Sequence, residues 1–562
     1  MAAGKVSRCP GLGFVGRQRA PLENAGVIRA LAILALAVLT ACTRVDTAGT
    51  GRHPWTKPGV LRIGDTSDPD QFDSLLSTMD LVEDLSSLVM SYLVIADGNG
   101  KLIGDLATSV PSLTNGGISK DGKTYVYHLR KGVLWHDGVP FTSRDVAFTW
   151  RSVVNPENNV FHREGYDEVA SIDTPDATTV IVHLKRRYPP FVTRFFTSLQ
   201  EGAKPVLPEH ILGKLANINT AAFNSSPVGT GPFKFVKWER GRRIVFARNE
   251  HYFKGVPKLE RIEFSVIPDD NALLDALRTH DLDQLRVATT LYDGARRLDG
   301  VVAELYPWNA ENVLVMNNGR PGLRHLEVRR AIASAIDYGA IIDKVEHGVP
   351  VRALDIVPPT AIGYTPNEPY AYDPAGARAL LDRNGWLPGP DGVRRKGSER
   401  LDFTMALGIG SANERNIAVQ LQRYFGDIGI ALTLKQYPYN LIFAHDGPIF
   451  TRRFDFAGYS YTLPWDPDNT VYLACDQFSP KGENIYGYCD PIVDAGERAG
   501  LATDDPVKRA AIYHKVERRI HDTVPYIPVY LVRHATARSV DLKGYDLSPA
   551  IAPWWNAWQW SL

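Results

Sequence analysis

The sequence predicts an α/β protein folded as two or three lobes, and three observations lead there. The chain has 562 residues, which is too long for a single compact core. Strand-like and helix-like patterns both recur along it. Its 44% hydrophobic and 22% charged content is ordinary for a globular chain.

The N-terminus reads as an address. Arg29 is followed by a short apolar run, Ala30 to Leu39. A membrane-crossing helix needs about 20 apolar residues, so this run suits the h-region of a secretory signal. It ends in Leu39-Thr40-Ala41-Cys42, which resembles the bacterial lipobox. Cys42 is then the expected lipidation site, residues 1–41 the signal peptide and 42–57 a flexible tether. The stretch before the apolar run is long for a signal and leaves open a true start nearer Val27. Without residues 1–41 the chain keeps 58 basic and 62 acidic residues. No basic stripe runs along it, which argues against a nucleic-acid partner. Of the four cysteines, Cys9 falls in the signal and Cys42 carries the lipid. Export places Cys475 and Cys489 in an oxidising compartment, where a disulfide between them is expected. The competing reading is a metal pair, but no His or third Cys stands at ligand spacing.

Along the mature chain, Val60 to Gly64 alternates like a first strand, and Leu81 to Ile95 carries apolar residues at helical spacing. Thr124 to Arg130 has period two. Val133 to His136 reads as a second strand, with Asp137-Gly138 as a tight turn. Thr142-Ser143-Arg144-Asp145 is a capping pattern before a helical face at Val146, Thr149-Trp150 and Val153. Asp373-Pro374 opens a further helix that stops at Gly385-Trp386, and Gly429 ends the amphipathic run from Asn413 to Ile428.

The stretch Tyr125 to Trp150, "YVYHLRKGVLWHDGVPFTSRDVAFTW", resembles the characteristic motif of the family 5 extracellular solute-binding proteins. That family comprises the dipeptide-, oligopeptide- and nickel-binding receptors of ABC importers. Gly229 to Phe233, "GTGPF", Asn249 to Gly255, "NEHYFKG", and Leu326 to Val345 are similar to further family segments. So is Asp466-Pro467-Asp468-Asn469 with Cys475 and Cys489, where the dipeptide-binding branch has its disulfide. The resemblance runs from about Pro58 to the C-terminus.

It implies the two-lobed periplasmic-binding-protein fold (type II, cluster C-like) with an extra domain on the first lobe. Lobe I is expected from 58–93, 229–310 and 527–562, the extra domain from 94–228, and lobe III from 311–526. It implies an exported, monomeric binding protein without cofactor or catalysis. Such a protein takes a peptide or peptide-like solute and delivers it to the ABC permease subunits. Dipeptide binders carry an Asp for the ligand ammonium before "DPDN" and an Arg for its carboxylate before the amphipathic helix. Leu463 stands at the first place, and Leu407-Gly408-Ile409-Gly410 at the second. An enclosed charge without a partner costs several kcal/mol. Peptides longer or less charged than free dipeptides are therefore expected, with Tyr459, Tyr461, Trp465 and Gly408 as candidate contacts. Asp466 and Asp468 read as turn and cap residues. Two other roles stay open: a cell-envelope regulator or scaffold on the same fold, and heme or metal-chelate binding. No catalytic elbow, metalloprotease motif or phosphate loop is present.

Overall fold

The structure is a computed structural model. It describes residues 51–562 apart from 162, 200–202, 356, 358, 360, 362, 363, 410, 411, 445, 464, 480, 481 and 549–552. The expected signal peptide, Cys42 and most of the tether lie outside the described residues. Trp55–Leu562 forms one compact unit. No described helix is long and apolar enough to cross a membrane.

An eleven-stranded mixed sheet runs through this unit. Two strands dominate it, Val301–Met316 of 16 residues and Tyr526–Ser539 of 14. They pair antiparallel, and each serves both halves of the sheet. Near the start of the first strand, Val301 to Pro307 faces Arg533 to Ser539. That end joins Gln284–Val287, Val60–Asp65, Arg261–Val266, Arg243–Arg248 and Phe233–Glu239 in that order. At the other end, Glu311 to Val315 faces Tyr526 to Leu531, and Phe456–Thr462, Asp402–Gly408 and Ala431–Tyr437 follow. Between the two ends the register slips: Pro307 pairs Arg533, but Glu311 pairs Leu531. The extra residues Trp308 to Ala310 form a bulge, which bends a sheet and re-aims its side chains.

The apolar interior divides at the same place. One core gathers residues between Leu61 and Phe264 with Leu542, Trp554, Trp560 and Leu562. Another gathers residues between Leu314 and Phe456 with Val524 to Tyr530. Among smaller clusters, one brings Ala96 and Leu199 together with Trp465. It joins a residue of the later half to two of the earlier one.

Most local expectations hold. Val60–Asp65 and Thr124–His128 are strands. The Thr142 side chain and Asp145 form a reciprocal capping box on helix Ser143–Val154. Asp373 caps Pro374–Arg383 through the Gly376 amide at 2.8 Å. Two expectations change. The run expected to be helical to Ile95 stops at Val89, because Gly231 donates its amide to the Val89 carbonyl at 2.8 Å. A Cβ on Gly231 would lie 2.5 Å from the Val89 carbonyl carbon, and one on Gly229 only 1.8 Å from its oxygen. That close approach is what the "GTGPF" glycines permit. The second strand expected at Val133 to His136 is a short loop closed by Trp135–Val139 and Phe141–Val133 backbone bonds around Gly138. Its arms are too brief to make a ladder.

Candidate functional site

A cavity of about 520 Å³ lies between the helix Asp80–Val89 of the earlier half and an aromatic cluster of the later half. Ser77, Thr78, Asp80 and Glu83 line it from the earlier half, and Tyr459 to Thr462 from the later one. Phe443, Phe450, Tyr472, Glu483 and Tyr486 complete the later wall, while Trp308 enters from the bulge between the halves.

Each wall follows from local structure. The strand Phe456–Thr462 pairs with the second half of Val301–Met316, Tyr459 against Val313 and Tyr461 against Glu311. Side chains alternate along a strand, so Tyr459 and Tyr461 share one face. Their rings lie 6.3 Å apart, and Phe443 meets Tyr459 edge-on at 5.1 Å. The Tyr461 hydroxyl donates to Glu311 Oε1 at 2.9 Å. Glu311 is fully buried, and burial pushes its carboxyl up to about 8. The opposite wall is the first turn of helix Asp80–Val89. Asp80 and Glu83 are three residues apart and so share a helical face. Asp84, turned inward, pairs with Arg286 at 2.7 Å. Burial first, then Asp80 and Asp84, push the Glu83 carboxyl up to about 8 against the pull of Lys204.

Of the sequence-derived candidates, Tyr459 and Tyr461 line the cavity and Trp465 and Gly408 do not. Trp465 is 8% exposed and packs on Ala96 and Leu199. Its position after the strand carries it past the cavity rim and into the opposite half. Gly408 is buried at the end of its strand, paired with Tyr437. Leu463, in place of the dipeptide-anchoring acid, is buried; its amide donates to the Asn309 carbonyl at 2.7 Å, and its carbonyl accepts from the Asn309 side-chain amide at 2.7 Å. The bulge therefore grips the residue where an ammonium partner would sit. Asp466 is more than a turn residue. It accepts two 2.5 Å hydrogen bonds from Arg509, both side chains being buried. It also accepts the Asp468 amide at 3.0 Å, and Asp468 caps Thr470. Cys475 and Cys489 are joined as a disulfide.

Sequence reasoning missed Asp80, Glu83, Trp308 and Glu483. The acids at Asp80 and Glu83, set one turn apart on one helical face, were the available signal. Glu483 lies in a loop and carried none. Among the described residues, no group of His, Cys, Asp or Glu is placed to hold a metal ion.

A family model for the bacterial extracellular solute-binding proteins, family 5 (middle), matches residues 101–480. Protein XP55 of Streptomyces lividans is 30% identical over 468 residues, 82% of this chain and 81% of that protein. The oligopeptide-binding protein AppA of Bacillus subtilis is 26% identical over 565 residues, 96% of this chain and 99% of AppA. The AppA structure in complex with a nonapeptide superposes with a TM-score of 0.73 over 90% of this chain and all of that one, at 26% identity. NikZ of Campylobacter jejuni in complex with Ni(L-His) does so with a TM-score of 0.74 at the same coverage and identity. The two-lobed α/β architecture, the cavity between its halves and a family model spanning well over half the sequence agree: this chain belongs to the bacterial extracellular solute-binding proteins of family 5.

Proposed function

We propose that the protein captures peptides in the cavity between its halves and delivers them to the membrane permease of an ABC importer. One observation carries this reading. An open cavity of about 520 Å³ is walled by both halves at once, so closing them surrounds a guest and expels water. Its volume falls within the roughly 300–1,000 Å³ of small-ligand sites. The names of AppA and its nonapeptide complex support peptide as the ligand class. Family membership places the protein outside the cytoplasm.

The halves pivot at the register slip between Pro307 and Glu311, where the two long strands cross between cores. An extended peptide pairs with main chain there, and the aromatic pockets tolerate varied side chains. The absent dipeptide anchors at Leu463 and Gly408 favour peptides longer or less charged than free dipeptides. Binding needs no covalent chemistry, and the protein acts as a receptor rather than an enzyme. Cys42 tethers it by lipid to the outer face of the membrane.

The test is a thermal-shift screen with peptides of two to six residues. Bound ligand stabilises by mass action, by about 2.7 kcal/mol at a hundredfold excess over Kd. The longer peptides should raise the melting temperature. No response to any peptide refutes peptide capture, and a response confined to free dipeptides refutes the anchor argument. Cys42→Ala should move the protein from the membrane fraction to the soluble one; retention in detergent extracts alone refutes lipidation.

A further inference from the structure

The cavity wall has a one-sided charge. Of its described lining residues, three are carboxylic acids, Asp80, Glu83 and Glu483, and none is Lys, Arg or His. Seven more are aromatic, Tyr459, Tyr461 and Trp308 among them. Both features favour the same guest. Carboxylates attract a cation directly, and aromatic faces attract it through their quadrupole. The cations nearest the acid wall stand outside the lining, although Arg286 draws on Asp80 and Lys204 on Glu83. Arg286 is held by Asp84 at 2.7 Å, and Lys204 is buried and outside the lining.

Resting on the peptide-capture reading, we propose that this cavity selects ligands by a cationic nitrogen held between the aromatic wall and the first-half acids Asp80 and Glu83. The specificity determinant thus sits on the Asp80–Val89 helix rather than at Leu463, where the dipeptide binders place their acid. A ligand carboxylate finds no cation among the described lining residues, so the guest's carboxyl end is excluded or capped. The nitrogen can come from a Lys or Arg side chain or from a free amino terminus.

The acids are also poised to respond. Burial and its neighbours Asp80 and Asp84 hold the Glu83 carboxyl near 8, opposed by Lys204. Burial raises Asp80 as well, opposed by Arg286. A cation arriving beside them favours their charged forms, so binding near neutral pH expels a fraction of a proton. Affinity therefore rises with pH from about 6.5 to 8.5, a range in which a lysine side chain stays protonated.

The experiment is calorimetric titration of the full exported chain with four pentapeptides of equal length. One is all-alanine with a free amino terminus. The other three are acetylated and amidated, with a central Lys, Ala or Glu. The Lys peptide should bind at least tenfold more tightly than the Glu peptide. Tight binding of only the free-amino alanine peptide assigns the nitrogen to the terminus; tight binding of the capped Lys peptide assigns it to a side chain. Equal affinity for capped Lys and Glu peptides, with no gain from the free amino group, overturns the cation inference and leaves peptide capture standing. No binding in any arm overturns peptide capture itself. In Asp80→Asn/Glu83→Gln the Lys-over-Glu ratio should fall towards one, and an unchanged ratio overturns the residue assignment. Should that variant fail to fold, titration of the unaltered protein in buffers of different ionisation enthalpy still decides. Proton release with the Lys peptide supports the inference, and proton uptake or none overturns it.

Discussion

Trp465→Ala tests whether the halves are held together by a side chain rather than by the ligand alone. The Trp465 ring is 8% exposed and sits among Ala96, Leu199, Leu102 and Trp555. Gly100 lies so close that a Cβ there would be 3.0 Å from the ring edge. Ala96 and Leu199 belong to the earlier half and Trp465 to the later one, so the contact forms only when the two meet. A buried aromatic side chain covers about 150–250 Å² of surface. With about 100 Å² of that lying across the junction, closure loses about 2.5 kcal/mol at roughly 25 cal/mol per Å². That figure shifts the closed-to-open ratio by about 70-fold. Small-angle scattering of the empty protein should show a larger radius of gyration in Trp465→Ala. Peptide Kd should weaken by up to the same factor, because only the closed form surrounds the guest. Near-ultraviolet circular dichroism, with each core intact, checks that the variant is folded. An unchanged scattering profile together with an unchanged Kd refutes the reasoning and reduces Trp465 to passive packing.

Three further outcomes follow from buried chemistry. Asp466→Asn strands the Arg509 guanidinium, which is 4% exposed, and should cost about 3–5 kcal/mol. A double-mutant cycle with Arg509→Met should show the pair costing less than the sum of the singles, and simple additivity contradicts the pairing. Cys475→Ser/Cys489→Ser reopens a loop with a sequence separation of 14 and should lower stability by roughly 3 kcal/mol, read as a lower thermal midpoint. Glu311 has its folded value pushed up to about 8, so the folded state holds a proton that the unfolded state has lost. Stability from this group is therefore present below the ordinary glutamate range and is lost as pH rises towards 8. Glu311→Gln should flatten the fall in melting temperature between pH 5.5 and 8.5; an unaltered slope shows that Glu311 does not titrate in that window.

What the sequence made legible was whatever local chemistry decides. The Thr142–Asp145 box, the Asp373 cap and the period-two strands depend on neighbours in the chain, and they appear where expected. The helix from Asp80 ends early because of Gly231, far away in sequence, and no pattern within Leu81 to Ile95 carries that information. The cavity divides the same way. Tyr459 and Tyr461 were found as aromatics just before the "DPDN" family segment, and the strand Phe456–Thr462 then puts both rings on one face. Trp465 continues the same aromatic run, yet the chain leaves the strand before it and the ring crosses into the other half. Asp80 and Glu83 escaped because acids in a first helical turn are the ordinary companions of a helix dipole.

The same geometry explains why binding and closure are coupled. The two long strands pair with each other in both halves, so the halves cannot drift apart freely. At the Trp308 to Ala310 bulge the ladder slips, with a second shift just beyond it between Asn312 and Val313, and there backbone rotation costs least. Trp308 lines the cavity, and Asn309 fastens Leu463 at the base of its aromatic wall. A guest touching that wall therefore acts on the one segment where the sheet can bend. Moving the pivot into either regular stretch of paired strand would break ladder bonds and leave the wall behind. Placing it at the bulge lets ligand contact and hinge angle change together.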